Sequence, residues 1–211
     1  MKRNMIMAAL VFILLAVPST MAQNKVEKGF KSLFDGKTFN GWKIANDNPD
    51  SWSIKEGAIV ANGPRSHIYY VGDEKQYVDF ELKIDVMTGP VSNGGIYIHT
   101  QYQDVSWPKN GYEIQVNQSH GDWKKSGSIY DVANVKDVVV KDNEWYTYTI
   151  TVKGKRITVK LNDTVVNDWT EEPNRQPGKD FTRILSKGTI ALQAHDPKSV
   201  VRYKNIRIKR L

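Results

Sequence analysis

The stretch Trp145–Leu161, WYTYTITVKGKRITVKL, decides the fold. Tyr146, Tyr148, Ile150 and Val152 recur at every second position, with Thr147, Thr149 and Thr151 between them. Period two places the first set on one face of a strand and the second set on the other. Lys153-Gly154-Lys155 then reverses the chain into a second alternating run, Ile157, Val159 and Leu161. Glycine at the reversal reaches the positive φ that tight turns require. The pair is an antiparallel hairpin with one apolar face, and that face needs a second layer to cover it.

The same period extends outward in both directions. Strands are expected at 52–55, 58–61, 67–71, 77–87, 94–101, 111–117, 164–168, 187–195 and 200–209. Glu56-Gly57, Asn62-Gly63-Pro64 and Asn162-Asp163 supply the turns between them. Helical pieces are expected only at 28–33 and 178–184. This many strands predict an all-β chain, a jelly-roll β-sandwich of two antiparallel sheets, one of them long and curved with a concave face. The segments 101–110 and 117–144 are long for hairpin connections, and long loops in a compact domain usually line something functional.

Residues 1–22 are read apart from the fold. Lys2 and Arg3 precede the apolar run Met7–Val17, Pro18 breaks it, and Thr20-Met21-Ala22 offers small residues for cleavage. The run is short for a membrane span, so the segment reads as a secretory signal peptide, followed by a single domain over 23–211. The expected location is secreted or periplasmic, with no stable membrane insertion once the signal is removed. The chain has no cysteine, which excludes disulfides, thiolate chemistry and Cys-ligated metals. Its formal charge is +7, but the basic residues are dispersed. The densest cluster, KNIRIKRL at 204–211, is a solvated strand face, and no nucleic-acid partner is expected. No phosphate loop, dinucleotide glycine pattern or His-Glu-x-x-His motif is present.

Parity then sorts side chains by face. In 94–101, Ile96 and Ile98 face the core, so Tyr97 and His99 point outward. In 111–117, Tyr112, Ile114 and Val116 face inward, leaving Glu113 and Gln115 outward. In 187–195, Gln193 and His195 are outward. An ordinary solvated face looks like Asp79, Glu81, Lys83 and Asp85; these three strands are instead rich in His, Gln and Tyr. Carboxamides and carboxylates pair with adjacent hydroxyls, and aromatic rings cover apolar sugar faces, so the composition suits a carbohydrate. Tyr97, Trp107, Trp123 and Tyr130 are candidate platforms, with Tyr112 inward by parity. Any one of these aromatics taken alone is equally explained as core. His67 and His120 have no periodic argument and are assigned to loops.

Several motifs occur in a recognisable order: SLFDGKTFNGW (32–42), WSIKEGAIVANG (52–63), YVDFELKIDV (77–86), SNGGIYIH (92–99), GYEIQV (111–116), SGSIYDV (126–132) and GTIALQAHD (188–196). With the 143–163 hairpin and VVRYKNIRIKRL at the end, the chain resembles the 3-keto-disaccharide hydrolase domain family over nearly all of 23–211. The resemblance implies a concanavalin-like sandwich, bacterial export, and action on glycosides oxidised at carbon 3. It also implies that Asn93, Glu113, Gln115, Tyr130, Gln193 and His195 occupy recurrent positions. Where many members end a strand in Ile-x-Leu-Arg, this chain has Ile98-His99, so a His stands where an Arg would bind a substrate oxygen.

The expected activity is therefore an enzyme of the glycoside hydrolase or lyase type. A base removes the proton next to the ketone, the group on carbon 1 leaves by β-elimination, and water adds back. Glu113 or His195 is the expected base, with the other or His99 as acid. Asn93, Tyr97, Gln115, Tyr130, Gln193 and Trp107 would bind the sugar. No cofactor is expected, although two His and a Glu could ligate a divalent ion. The alternatives are a non-catalytic lectin-like module, and an ordinary glycoside hydrolase with a second carboxylate from Asp104, Asp122, Asp131 or Asp196.

Overall fold

The computed structural model of the protein describes residues 27–211, so the expected signal peptide lies outside the described residues. The Trp145–Leu161 stretch forms β9 (Tyr146–Lys153) paired with β10 (Arg156–Leu161), Val152 opposite Ile157 and Ile150 opposite Val159. The other strands are β1 (Lys31–Ser32), β2 (Trp42–Ile44), β3 (Trp52–Lys55), β4 (Ala58–Ala61), β5 (Ser66–Tyr70), β6 (Phe80–Thr88) and β7 (Asn93–Thr100). They continue with β8 (Tyr112–Asn117), β11 (Thr164–Thr170), β12 (Thr189–Ala194) and β13 (Val201–Arg210). They form two antiparallel sheets. The larger runs β11-β10-β9-β6-β13-β4-β3, with β1 on β13; the smaller runs β2-β5-β12-β7-β8.

The core lies between the sheets. The burial of β6 alternates without exception: Phe80, Leu82, Ile84 and Val86 are inward, against Glu81, Lys83 and Asp85 outward. Facing them from the smaller sheet are Ile68, Ile96, Ile98, Tyr112, Ile114, Ile190 and Leu192. Each fully buried aliphatic contributes about 1.5–3 kcal/mol. The alternation of β13 is reset by a bulge between Lys204 and Arg207, where Asn205 takes φ 48° and donates to Asp85 Oδ2 at 2.6 Å. Asn tolerates that left-handed conformation, and the bulge brings both Tyr203 and Ile206 into the core.

Neither helix expected from sequence forms. At 28–33, Gly29 turns the chain at φ 87° and Lys31 pairs with Ile208, so a terminal strand captures the segment. At 178–184 the chain is irregular and bonds to the 101–110 loop, the Thr182 amide donating to Lys109 O at 2.8 Å. Among the described residues, the only helix is one 3-10 turn, Pro49–Ser51, and none is long and apolar enough to cross a membrane.

Candidate active site

The outward face of the smaller sheet gathers the polar side chains that parity predicted. Tyr97 on β7 lies directly opposite Glu113 on β8, and Gly95 lies opposite Gln115. Gln193 on β12 stands on the other side of β7, and His195 follows the end of β12. Tyr97, Glu113, Gln115, Gln193 and His195 together line a cavity of about 210 Å³. That is below the ~300–1,000 Å³ of sites for drug-sized ligands, a size for roughly one sugar ring.

Glu113 is the centre of the polar network. Tyr97 Oη donates to its Oε2 at 2.9 Å and Gln193 Nε2 to its Oε1 at 2.9 Å. Gln193 Nε2 also donates to Tyr97 Oη at 3.0 Å, so the three side chains hold one another. Burial raises the Glu113 pKa to about 7, and the two donated hydrogen bonds offset it only in part. Burial and the adjacent Glu113 carboxylate keep Tyr97 well above its ordinary pKa, so it remains a donor. Gly95 makes room for the carboxylate, because a Cβ there would lie 2.6 Å from Glu113 Oε1. Gln115 lies 3.2 Å from the Asn93 carboxamide and 3.3 Å from Glu113 Oε1.

His195 is held from behind. Its Nδ1 is 2.9 Å from Asp196 Oδ2, and that carboxylate also accepts from Ser199 Oγ at 2.6 Å and the Lys198 amide at 2.8 Å. Burial works to raise the Asp196 pKa, but these bonds outweigh it and bring it to about 2. An ionised Asp196 makes Nδ1 the protonated nitrogen and leaves Nε2 with its lone pair. The network reaches β7, where the Asn93 amide donates to Ser199 Oγ at 2.9 Å.

Of the expected site residues, Asn93, Tyr97, Trp107, Glu113, Gln115, Tyr130, Gln193 and His195 all line the cavity. His99 does not. It takes φ 53° and occupies a bulge, since β7 spends three residues from Tyr97 to Thr100 while β12 spends two from Ala191 to Thr189. The extra residue reverses its face. The His99 ring packs edge-on against Phe80 at 5.6 Å, with Nε2 2.8 Å from Val78 O and Nδ1 accepting from the Ser186 amide at 3.2 Å. Burial lowers its pKa. It is a structural residue of the sandwich interior, and the acid role expected of it does not hold.

Tyr112 lies in the core, as parity required, and Trp123 is an exposed ring beside Lys124 and Lys136, away from the cavity wall. Sequence reasoning named Asp131 and Asp196 only as possible second carboxylates of an ordinary hydrolase, and missed Arg183 and Phe181; Asp131, Arg183 and Phe181 reach the cavity from loops, where no period applies. Asp196 had one available signal, its place directly after His195. Sequence reasoning missed His67 as well, which falls within β5 rather than in a loop. His120 does sit in a loop, and its ring centroid is 5.6 Å from that of His195.

The residues able to hold a divalent ion are His120, His195 and Asp196, whose ligand atoms lie within 4.8 Å of one another. His195 Nδ1 and Asp196 already bond each other, and His120 Nδ1 accepts from the Asp122 amide at 3.1 Å.

The comparisons with known proteins agree with this architecture. A 3-keto-disaccharide hydrolase of Bacteroides thetaiotaomicron is 28% identical over 68% of this chain, which spans only 60% of that protein's length. A crystal structure from Parabacteroides distasonis, named provisionally a glycosyl hydrolase, is 27% identical with a TM-score of 0.72, covering 87% of this chain and 94% of that one. The carbohydrate-binding module CBM66 of Bacillus subtilis shares the fold alone, at 18% identity and a TM-score of 0.58, over 80% of this chain and 95% of that one. The model of the 3-keto-alpha-glucoside-1,2-lyase-like domain matches residues 29–209, and the chain belongs to that family.

Proposed function

We propose that this protein cleaves glycosides whose sugar carries a ketone at carbon 3, by elimination followed by hydration. The observation that carries the reading is the pairing of two different proton-transfer groups around one ring-sized cavity. His195 presents a free Nε2, with Asp196 fixing its other nitrogen, and Glu113 is a carboxyl group poised near neutrality. The family description and the relative's name point to the same chemistry.

In this reading His195 Nε2 takes the carbon-2 proton, which the neighbouring ketone acidifies. The electron pair left on carbon 2 forms the C1=C2 double bond as the C1–O bond breaks, and protonated Glu113 delivers its proton to the departing oxygen. Water then adds to carbon 1 of the enone while carbon 2 regains a proton, giving the free 3-keto sugar. A carboxyl group with an ordinary pKa would hold almost no proton at neutral pH; one near 7 does. Gln193, Gln115 and Asn93 offer carboxamides to the ketone and hydroxyls, and Trp107 and Tyr130 flank the ring.

Asp131 is the one further carboxylate on the cavity wall, and it bears on an ordinary hydrolytic mechanism. Both its oxygens are occupied, Oδ1 by Lys124 at 2.8 Å and Oδ2 by Arg183 at 3.1 Å, and those cations help hold its pKa down. A clamped carboxylate is a poor nucleophile or base, which favours the 3-keto reading. Export through residues 1–22 belongs to the same proposal. The deciding experiment is product analysis with matched glycosides, native and 3-oxidised, with and without chelator. Cleavage of the oxidised member alone is expected. Cleavage of the native glycoside would point to ordinary hydrolysis, and binding without product to a lectin-like module.

A further inference from the structure

The outward face of the smaller sheet continues past the cavity. On β5, His67 stands opposite Gln193 and Tyr69 opposite Ala191, so both belong to the polar face that carries Tyr97 and Glu113. Yet His67 and Tyr69 are completely buried, because the 101–110 loop lies over them. The Trp107 ring sits edge-on to His67 at 5.4 Å, and the Tyr102 ring edge-on to Tyr69 at 5.3 Å.

This cover does not match what it covers. Both ring nitrogens of His67, the Tyr69 hydroxyl and Gln193 Oε1 are buried with no hydrogen-bond partner from the protein. Such groups are ordinarily paired, and leaving them unpaired is costly. The loop places aromatic faces on this polar floor and makes its own hydrogen bonds elsewhere. The Ser106 amide donates to Asp47 Oδ2 at 2.5 Å, Asn46 N to Asp104 O at 2.7 Å, and Gln103 Nε2 to Trp107 O at 2.9 Å. Ser106 holds φ 73°, a left-handed conformation unfavourable for a residue other than glycine.

The chemistry of the floor defines what it takes. Burial keeps the His67 imidazole neutral, its pKa pushed down to about 3, so it offers one donor and one acceptor. Tyr69 offers a hydroxyl and Gln193 a carbonyl. The nearby charges, Arg65 and Asp47, cancel in an ion pair of 2.9 Å. A neutral ligand rich in hydroxyls complements this set; a phosphate or carboxylate does not.

We propose that the 101–110 loop caps a second sugar subsite, floored by His67, Tyr69 and the Oε1 edge of Gln193, which receives the second ring of a neutral disaccharide when the Tyr102 and Trp107 rings are displaced. The proposal rests on the reading of the cavity as a sugar site and extends it from one ring to two.

The test is calorimetric titration with native methyl maltoside and native methyl glucoside, which differ by one neutral ring and are unreactive in the proposed chemistry. Wild-type protein is expected to bind the maltoside at least 10-fold more tightly. His67→Phe and Tyr69→Phe are each expected to reduce that ratio at least threefold. Both replacements remove unpartnered polar atoms, so a thermal midpoint at or above that of wild type shows that the fold is intact. Should His67→Phe fail to fold, Tyr69→Phe, which deletes one oxygen, carries the test. A wild-type ratio near one overturns the proposal. So does a ratio unchanged in folded variants, the result if these atoms serve only ordered water. Failure of wild type to bind either sugar also overturns the two-ring proposal, and is distinct from failure of the 3-keto reading, which the product analysis with oxidised glycosides decides.

Discussion

Gly95 and Glu113 lie on adjacent strands so close together that a single methyl group on residue 95 would stand 2.6 Å from the carboxylate oxygen that accepts from Gln193. Residue 95 is in extended backbone, which alanine adopts freely, so Gly95→Ala should fold and displace the Glu113 side chain. A displacement near 1 Å in a reacting group costs on the order of 10²-fold in rate. We expect kcat on a 3-keto glucoside to fall by ~10²-fold with the thermal midpoint nearly unchanged. Wild-type turnover would show that the Glu113 position is not critical.

Glu113→Gln should also lower kcat by ~10²-fold or more, the scale of acid–base groups. As the acid, Glu113 must be protonated, so wild-type activity should fall as pH rises through about 7. A 3-keto glycoside with a nitrophenol leaving group needs no proton at the departing oxygen. It should restore most of the rate to Glu113→Gln and none to His195→Ala. If wild-type activity instead rises through pH 7, and the nitrophenyl substrate rescues His195→Ala but not Glu113→Gln, Glu113 is the base and the two roles exchange.

Where strands alternate regularly, the sequence located the site. Tyr97, Glu113, Gln115 and Gln193 were legible because period two assigns each a face, and the structure places all four on one wall. His99 was assigned the wrong face because one residue of bulge reverses parity, and nothing in Tyr97-Ile98-His99-Thr100 announces the positive φ. Asp131 could be named only as one of four loop aspartates, and Arg183 was not identified at all, because they sit in loops whose positions depend on contacts distant in sequence. His67 stood at the edge of an expected strand and was assigned to a loop for want of a periodic argument, and its burial depends on a loop some 35–40 residues later, which no local pattern encodes.

Asp196 acts through His195 rather than on the sugar itself, so its contribution should appear in kcat. Asp196→Asn can present its amide nitrogen to His195 Nδ1, which would favour the tautomer with Nε2 protonated and unable to accept the carbon-2 proton. We expect kcat to fall ~10²-fold with KM changed less than threefold. Ser199→Ala, which removes one of three bonds to the carboxylate, should cost less. A rise in KM at constant kcat would place Asp196 in substrate binding instead.

The raised pKa of Glu113 also has a cost in stability, with a definite sign. Its folded-state pKa of about 7 exceeds the ordinary 4.5, so between those values the folded protein binds more protons than the unfolded chain. Stability contributed by the group is therefore fully present below pH 4.5, lost as pH rises toward 7, and flat above. Glu113→Gln cannot ionise and lacks this loss. Other carboxylates, Asp196 among them, shift the opposite way and act at lower pH, so the informative quantity is the difference between variant and wild type. Urea unfolding at pH 4, 6 and 8 should show the variant gaining on wild type as pH rises, with most of the gain complete by pH 8. A difference that stays constant with pH would mean the carboxyl group has an ordinary pKa in the folded protein, and the acid role assigned to it would fail with that result.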